Sequence, residues 1–118
     1  EEAVPLFKKA LEIERGDKET LFLLGLSYRH LEQYEKAAAI FEKLTSLAPV
    51  KNKVFHELGV SYGRQDKLAL AHYNFGIYFM RLREAKKARF HFEKADKLAQ
   101  GDTALQKKID RATQSLTE

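Results

Sequence analysis

Apolar and polar positions follow a helical period along almost the whole chain. Over residues 18–31 the apolar side chains are Leu21, Leu24, Tyr28 and Leu31, with Gly25 set among them. Spacings of three and four lay these residues in one stripe on a helix. Residues 34–47 repeat the pattern with Ala37, Ala38, Phe41, Leu44 and Leu47. Asp17 is placed to cap the first of these helices, Gly16 suits the end of the element before it, and Pro49 closes the second. Extended along the chain, the pattern predicts helices near 2–14, 18–31, 34–47, 51–64, 67–82, 84–98 and 102–117. Pro5 falls in the first turn of the first helix, where a missing amide costs little.

The pattern also repeats at long range. Leu24, Gly25, Ser27 and Tyr28 recur further along as Leu58, Gly59, Ser61 and Tyr62, in the same order and spacing. The same step carries Ala37 and Phe41 to Ala71 and Phe75, and taken backwards it reaches Ala3 and Phe7. Residues 1–15 therefore read as the second half of a truncated repeat. Each unit is a pair of antiparallel helices. Gly25 and Ala37 remove bulk where the two cross, and Leu24, Tyr28 and Phe41 fill the space around the crossing. One such hairpin cannot bury both its faces, but stacked neighbours can.

A large residue, then Leu-Gly, Tyr, Ala, an aromatic and Pro, spread over a period of about 34 residues, resembles the tetratricopeptide repeat (TPR). Residues 18–51 supply Leu21, Leu24-Gly25, Tyr28, Ala37, Phe41, Leu44 and Pro49; Leu21 stands for the usual Trp and Leu44 for the usual Ala. The resemblance implies an all-α fold, a right-handed superhelix of antiparallel hairpins. Repeats are expected at 18–51 and 52–85. A further unit at 69–100 overlaps the second by half a repeat, because Phe75-Gly76 and Phe79 again imitate Leu-Gly and Tyr, followed by Ala88, Phe92 and Ala95. Helix 67–82 would then close one hairpin and open another. Leu105, Ile109, Ala112 and Leu116 make 102–117 a capping helix, apolar inside and wet outside, so that 1–118 is a single domain.

Composition narrows the function. With 44% hydrophobic and 32% charged residues and two prolines, the chain is regular structure with a continuous core. The absence of cysteine excludes disulfides and thiol chemistry. No apolar run approaches the roughly 20 residues of a membrane span. The charge of +4 is uneven: residues 1–50 hold seven Lys and Arg against nine Asp and Glu, and the rest hold fourteen against eight. The basic stretch centres on Arg81, Arg83, Lys86, Lys87 and Arg89, a surface for an acidic partner or anionic lipid. Nothing matches a motif that reads nucleic acid.

The stretch 59–99, with its LAHYNFGIYF helix, also resembles the C-terminal TPR region of BepA-like zinc metalloproteases of the Gram-negative envelope. That resemblance implies a periplasmic or envelope location, an upstream HExxH protease domain, and contacts between the TPR region and client proteins or the outer-membrane assembly machinery. The chain begins at Glu1-Glu2-Ala3, as a mature portion or fragment would. A free-standing TPR adaptor for assembly of a pilus, secretion or lipoprotein complex is the alternative, and a cytoplasmic location goes with a chain outside the envelope.

Candidate chemistry is sparse. His56-Glu57 starts an HExxH motif, but Val60 stands where the second zinc ligand is required. His30, His56, His72 and His91 offer no pair one helical turn apart, although His72 and His91 can approach across a hairpin. No catalytic residue, metal or cofactor is expected. What remains is a binding surface. Phe22 and Leu26, matched by His56 and Val60, lie off the hairpin stripe, and Tyr73 and Ile77 hold the same places in the overlapping unit. In the TPR family these positions line the concave groove for a partner's peptide or helix, with Arg29 and Arg64 as a charged rim. Contact with a neighbouring helix is their other use.

Overall fold

The structure, a computed structural model, describes residues 17–117. The helix expected at 2–14 lies outside that range. Six helices run through the described residues: α1 (Lys18–His30), α2 (Tyr34–Thr45), α3 (Asn52–Arg64), α4 (Leu68–Arg81), α5 (Ala85–Leu98) and α6 (Thr103–Thr117). No strand occurs among them. Each helix packs on the next, and α6 also returns to touch α4.

Local chemistry explains the helix ends. The Asp17 carboxylate accepts hydrogen bonds from the Glu19 and Thr20 amides and from the Thr20 hydroxyl, satisfying donors that the first turn leaves free. These bonds hold its carboxyl below its ordinary pKa. The second helix ends earlier than expected from Pro49. It stops at Thr45, where the Thr45 hydroxyl donates to the Glu42 carbonyl and the Ser46 hydroxyl to that of Lys43. Three of the turns share one form. Glu32, Asp66 and Arg83 each take a left-handed φ near 60°. The next amide then donates back across the turn, Gln33 to Tyr28, Lys67 to Tyr62 and Glu84 to Phe79, each at 2.9 Å.

The same three hairpins share one packing contact. A Cβ built on Gly25 would lie 2.7 Å from the Phe41 ring, one on Gly59 2.6 Å from Phe75, and one on Gly76 closer still to Phe92. Each glycine therefore receives one edge of a phenylalanine ring on the following helix, and the offset along the chain is the same in all three pairs. The first two contacts stand one full repeat apart, but the third follows after only half a repeat. Helix α4 takes part twice: its Phe75 closes the α3–α4 crossing and its Gly76 receives the ring that closes α4–α5.

The core divides accordingly. Leu21, Leu24, Tyr28, Ala37, Phe41, Leu44, Val54 and Leu58 form one cluster within α1–α3. Ala88, Phe92, Ala95, Leu105, Ile109 and Ala112 form another within α5 and α6, and Tyr73, Ile77 and Phe79 of α4 pack against it. The amphipathic stripe expected on 102–117 is the one buried here.

The glycine contacts set the first prediction. Phe92 is 1% exposed and has nowhere to retreat. Gly76→Ala should lower stability by about 1–3 kcal/mol through overpacking. Gly63, in the same fold, would meet only the Ala71 Cβ at 3.8 Å. Gly63→Ala should raise stability by up to about 1 kcal/mol by restricting the unfolded chain. Urea midpoints of the two variants, moving in opposite directions, are the check.

Candidate binding surface

Helix α4 builds the most composite concavity. Leu70, Tyr73, Asn74 and Ile77 recur every three or four residues and so share a face. That face looks into a cleft of about 310 Å³ whose other walls are Glu42 and Thr45 of α2, Phe55 of α3, and Leu105 and Lys108 of α6. Phe55, Leu70, Tyr73, Ile77 and Leu105 give the lining its apolar part, and Glu42 and Lys108 add one charge of each sign. Asn74, 4% exposed, donates from Nδ2 to the Leu70 carbonyl at 2.9 Å. Burial, and then the Glu42 carboxylate, push the Tyr73 phenol above its ordinary pKa. The Tyr62 hydroxyl donates to the same carboxylate at 2.5 Å, and the Tyr62 phenol is likewise pushed up, first by burial.

A second cleft of about 270 Å³ opens where α1 begins, α2 ends and α3 begins. Phe22, Leu44, Leu47, Val50 and Val54 make it apolar, under a rim of Lys18, Glu19 and Lys51. Lys18 donates to the Ala48 carbonyl at 3.1 Å, Lys51 pairs with Glu19 at 3.0 Å, and the Lys51 ammonium lies 5.9 Å from the Phe22 ring centre.

The groove residues expected from the sequence distribute over these features. Phe22 lines the second cleft and meets Phe41 edge to face. Leu26 packs on the N-terminal core, and Val60 is half-buried on α3. Arg29 is held in an ion pair with Glu57 at 2.5 Å, linking α1 to α3. Arg64 lies exposed over Tyr34, 5.9 Å from the ring centre. His56 sets its ring against Phe75 and Tyr78. Tyr73 and Ile77 lie in the first cleft, beside Phe55 and apart from Phe22. Phe75 explains the division: it points at Gly59, and residues two before and two after it on a helix project from nearly the opposite side. Leu105, expected in the capping stripe, also lines the first cleft, and Phe55, Glu42 and Lys108 join it without a signal in the repeat pattern. Asn74, a polar residue inside the run LALAHYNFGIYF, was the visible signal.

The basic stretch is not one free surface either. Arg81 donates from Nε to Asn52 Oδ1 at 2.7 Å, reaches the Val50 carbonyl with its other nitrogen, and lies 5.1 Å from the Phe55 ring centre. It thus clamps the end of α4 to the start of α3. Lys87 pairs with Glu84 at 3.1 Å and covers Phe79, Arg83 occupies the left-handed turn position, and Arg89 is half-buried. Lys86 is exposed.

His72 and His91 do meet across the α4–α5 hairpin, Nδ1 to Nδ1 at 3.0 Å. Among the described residues no three His, Cys, Asp or Glu side chains gather where they can hold a metal ion. No helix among them is long and apolar enough to cross a membrane.

Residues 18–51, the α1–α2 hairpin and the loop beyond it, match the tetratricopeptide repeat family. The crystal structure of MamA matches the fold with a TM-score of 0.55, over 97% of this chain and 84% of that one, at 19% sequence identity. At that identity the likeness is one of fold. No curated protein matches the chain in sequence. The described residues are all-helical and TPR-like in fold, and the repeat match supports a protein–protein interaction module.

The Arg81 clamp gives the second prediction. Arg81→Ala should cost about 1–2 kcal/mol, since a charge-assisted hydrogen bond and a cation–π contact are lost together. Lys86→Ala, on the open surface, should stay within about 0.5 kcal/mol of the parent. Thermal or urea unfolding of the two variants is the measurement.

Proposed function

We propose that this chain is a polypeptide-docking module whose working surface is the cleft lined by Phe55, Tyr73, Asn74, Ile77 and Leu105, with the Phe22 cleft as a second anchor point. The observation that carries this reading is the composition of the first cleft. Apolar side chains drawn from three helices, with Glu42 and Lys108 among the walls, suit an extended or amphipathic segment that inserts a few apolar side chains. Lone surface residues do not assemble such a lining, and the packing of α4 against α3 and α6 keeps it in shape.

The wider setting we propose is the C-terminal part of an envelope zinc metalloprotease, with client proteins as the docked segments and the periplasm as the compartment. The resemblance of residues 59–99 to BepA-like enzymes supports it. The second reading, a free-standing adaptor in assembly of a pilus, secretion or lipoprotein complex, rests on the same clefts and needs no protease. Exposed Lys86, with Arg81 and Arg83 beside it on the surface, gives either version a basic flank for an acidic partner or a peripheral contact with the envelope.

The test is anisotropy of a fluorescein-labelled outer-membrane β-barrel polypeptide, diluted from urea into the chain. Tyr73→Ala and Ile77→Ala should each weaken binding by about 1–2 kcal/mol, as loss of a buried anchor does. Phe22→Ala should weaken it by a similar amount if the second cleft is engaged by the same polypeptide. Lys86→Glu should instead slow association at low salt and flatten its salt dependence. Cleft variants that bind like the parent, with charge reversal abolishing binding even at high salt, would move the working surface to the basic face.

A further inference from the structure

We propose that the His72–His91 contact is a proton-operated latch on the α4–α5 hairpin, shut while at most one of the two rings is protonated and opened when acid protonates both.

The geometry dictates the two states. The Nδ1 atoms stand 3.0 Å apart and the ring centroids 5.2 Å apart, a difference of two ring radii. The rings therefore face each other head-on, as an N–H donor faces a lone pair. Lone pairs converging on a shared metal ion would bring the centroids closer at this nitrogen separation. One proton lies between the nitrogens. In the neutral pair, one ring carries its hydrogen on Nδ1 and the other on Nε2. A first added proton goes to the free Nε2 of the donor ring and leaves the Nδ1–H···Nδ1 bond in place, now charge-assisted. A second must go on the remaining Nδ1. Two N–H groups then point at each other, and two like charges share a half-buried site.

The surroundings offer no relief. His91 is stacked on Phe79 at 5.4 Å, with Phe75 and Phe90 against its other sides. The Lys94 ammonium acts on His72, and that of Lys87 lies over Phe79. Glu84 is taken by Lys87. On the α3 side, His56 and Tyr78 lie beyond Phe75. Burial first, then Lys94 for His72 and His72 for His91, hold both imidazoles below the ordinary value of 6.5. The unfolded chain thus binds more protons than the folded one. The contribution is complete above pH 6.5 and is lost as the pH falls through the lowered folded values.

The latch is placed to matter. Phe92, which sits on Gly76, is the residue after His91. Driving the two rings apart lifts Phe92 from its glycine and loosens α5. Helix α6 follows α5 and carries Leu105 and Lys108, the far wall of the first cleft. Release of a docked segment on acidification is the consequence, and this last step rests on the cleft being the docking site.

Hydrogen exchange of the 118-residue chain at pH 7.5 and 5.0, corrected for intrinsic rates, reads the latch without any partner. Exchange in α4–α6 should rise clearly at pH 5.0, while α1–α2 changes far less. His91→Gln keeps a hydrogen-bonding group but cannot titrate, so its α4–α6 exchange should keep only the smaller pH dependence that His72 alone confers. Should that variant not fold, proton NMR titration of the parent decides alone. Coupled titration of His72 and His91 below pH 6.5 supports the latch. Independent titration of both near 6.5, or equal protection at the two pH values, overturns it. Anisotropy of the labelled β-barrel polypeptide at both pH values separates the two ideas: a hairpin that opens without loss of affinity leaves the latch intact and removes the docking role of the cleft.

Discussion

A phenylalanine ring set against a bare glycine backbone is the contact from which the rest of this structure follows. It brings two helices closer than any side chain at the glycine would permit, and it works only if glycine and ring stay in register. The contact occurs at Gly25–Phe41, Gly59–Phe75 and Gly76–Phe92, always at the same separation along the chain. With that interval fixed, the turn between the helices has little freedom. The three turns accordingly share one left-handed residue and one closing hydrogen bond, even though the left-handed residues are Glu32, Asp66 and Arg83 and none is glycine. The strain of a side chain at positive φ is of order 1–2 kcal/mol per residue. Burial of a full phenylalanine ring, at about 1.5–3 kcal/mol, is enough to offset it.

When the contact recurs after half a repeat instead of a whole one, one helix must satisfy two partners. That is the position of α4. Its Phe75 faces α3, its Gly76 faces α5, and Tyr73 and Ile77 are left on the side toward α2 and α6. A helix with this many neighbours is apolar nearly all round, as LALAHYNFGIYFM is. The few polar side chains it carries are then buried wholly or in part and must find partners nearby. Asn74 finds the Leu70 carbonyl, and His72 finds His91. The cleft and the histidine pair therefore have the same origin in the half-step.

This also explains what could be read in advance. Helix positions, the Asp17 cap and the stripe on the last helix all depend on short spacings, and the sequence displays those directly; the crossing expected between Gly25 and Ala37 instead sets Gly25 against the Phe41 ring. Helix ends shifted by only one or two residues, as where Thr45 and Ser46 turn their hydroxyls onto the α2 carbonyls. The binding surface was less legible because it depends on which side of α4 remains free after two contacts have been made. Matching Tyr73 and Ile77 to Phe22 and Leu26 assumes that each unit is rotated like the one before, and the half-step removes that assumption. Arg81 shows a different limit: it is exposed, as a residue of a basic run should be, and its contacts with Asn52, Val50 and Phe55 depend on a neighbouring helix that no local pattern reveals.

A regular repeat presents the same surface many times, and its affinity for any one segment is spread evenly along it. A break in the repeat makes one place different from the rest. Here the break collects residues of α2, α3, α4 and α6 around one cleft and sets an ionisable pair in the hairpin that supports its far wall. Local rules of sequence and structure are most often violated where a protein has something to do beyond folding. A polar Asn and a His pair within the most apolar helix of the chain are violations of that kind, and both lie at the half-step. The N-terminal repeat, which keeps its period, supplies the fixed body against which such a site can be held or released.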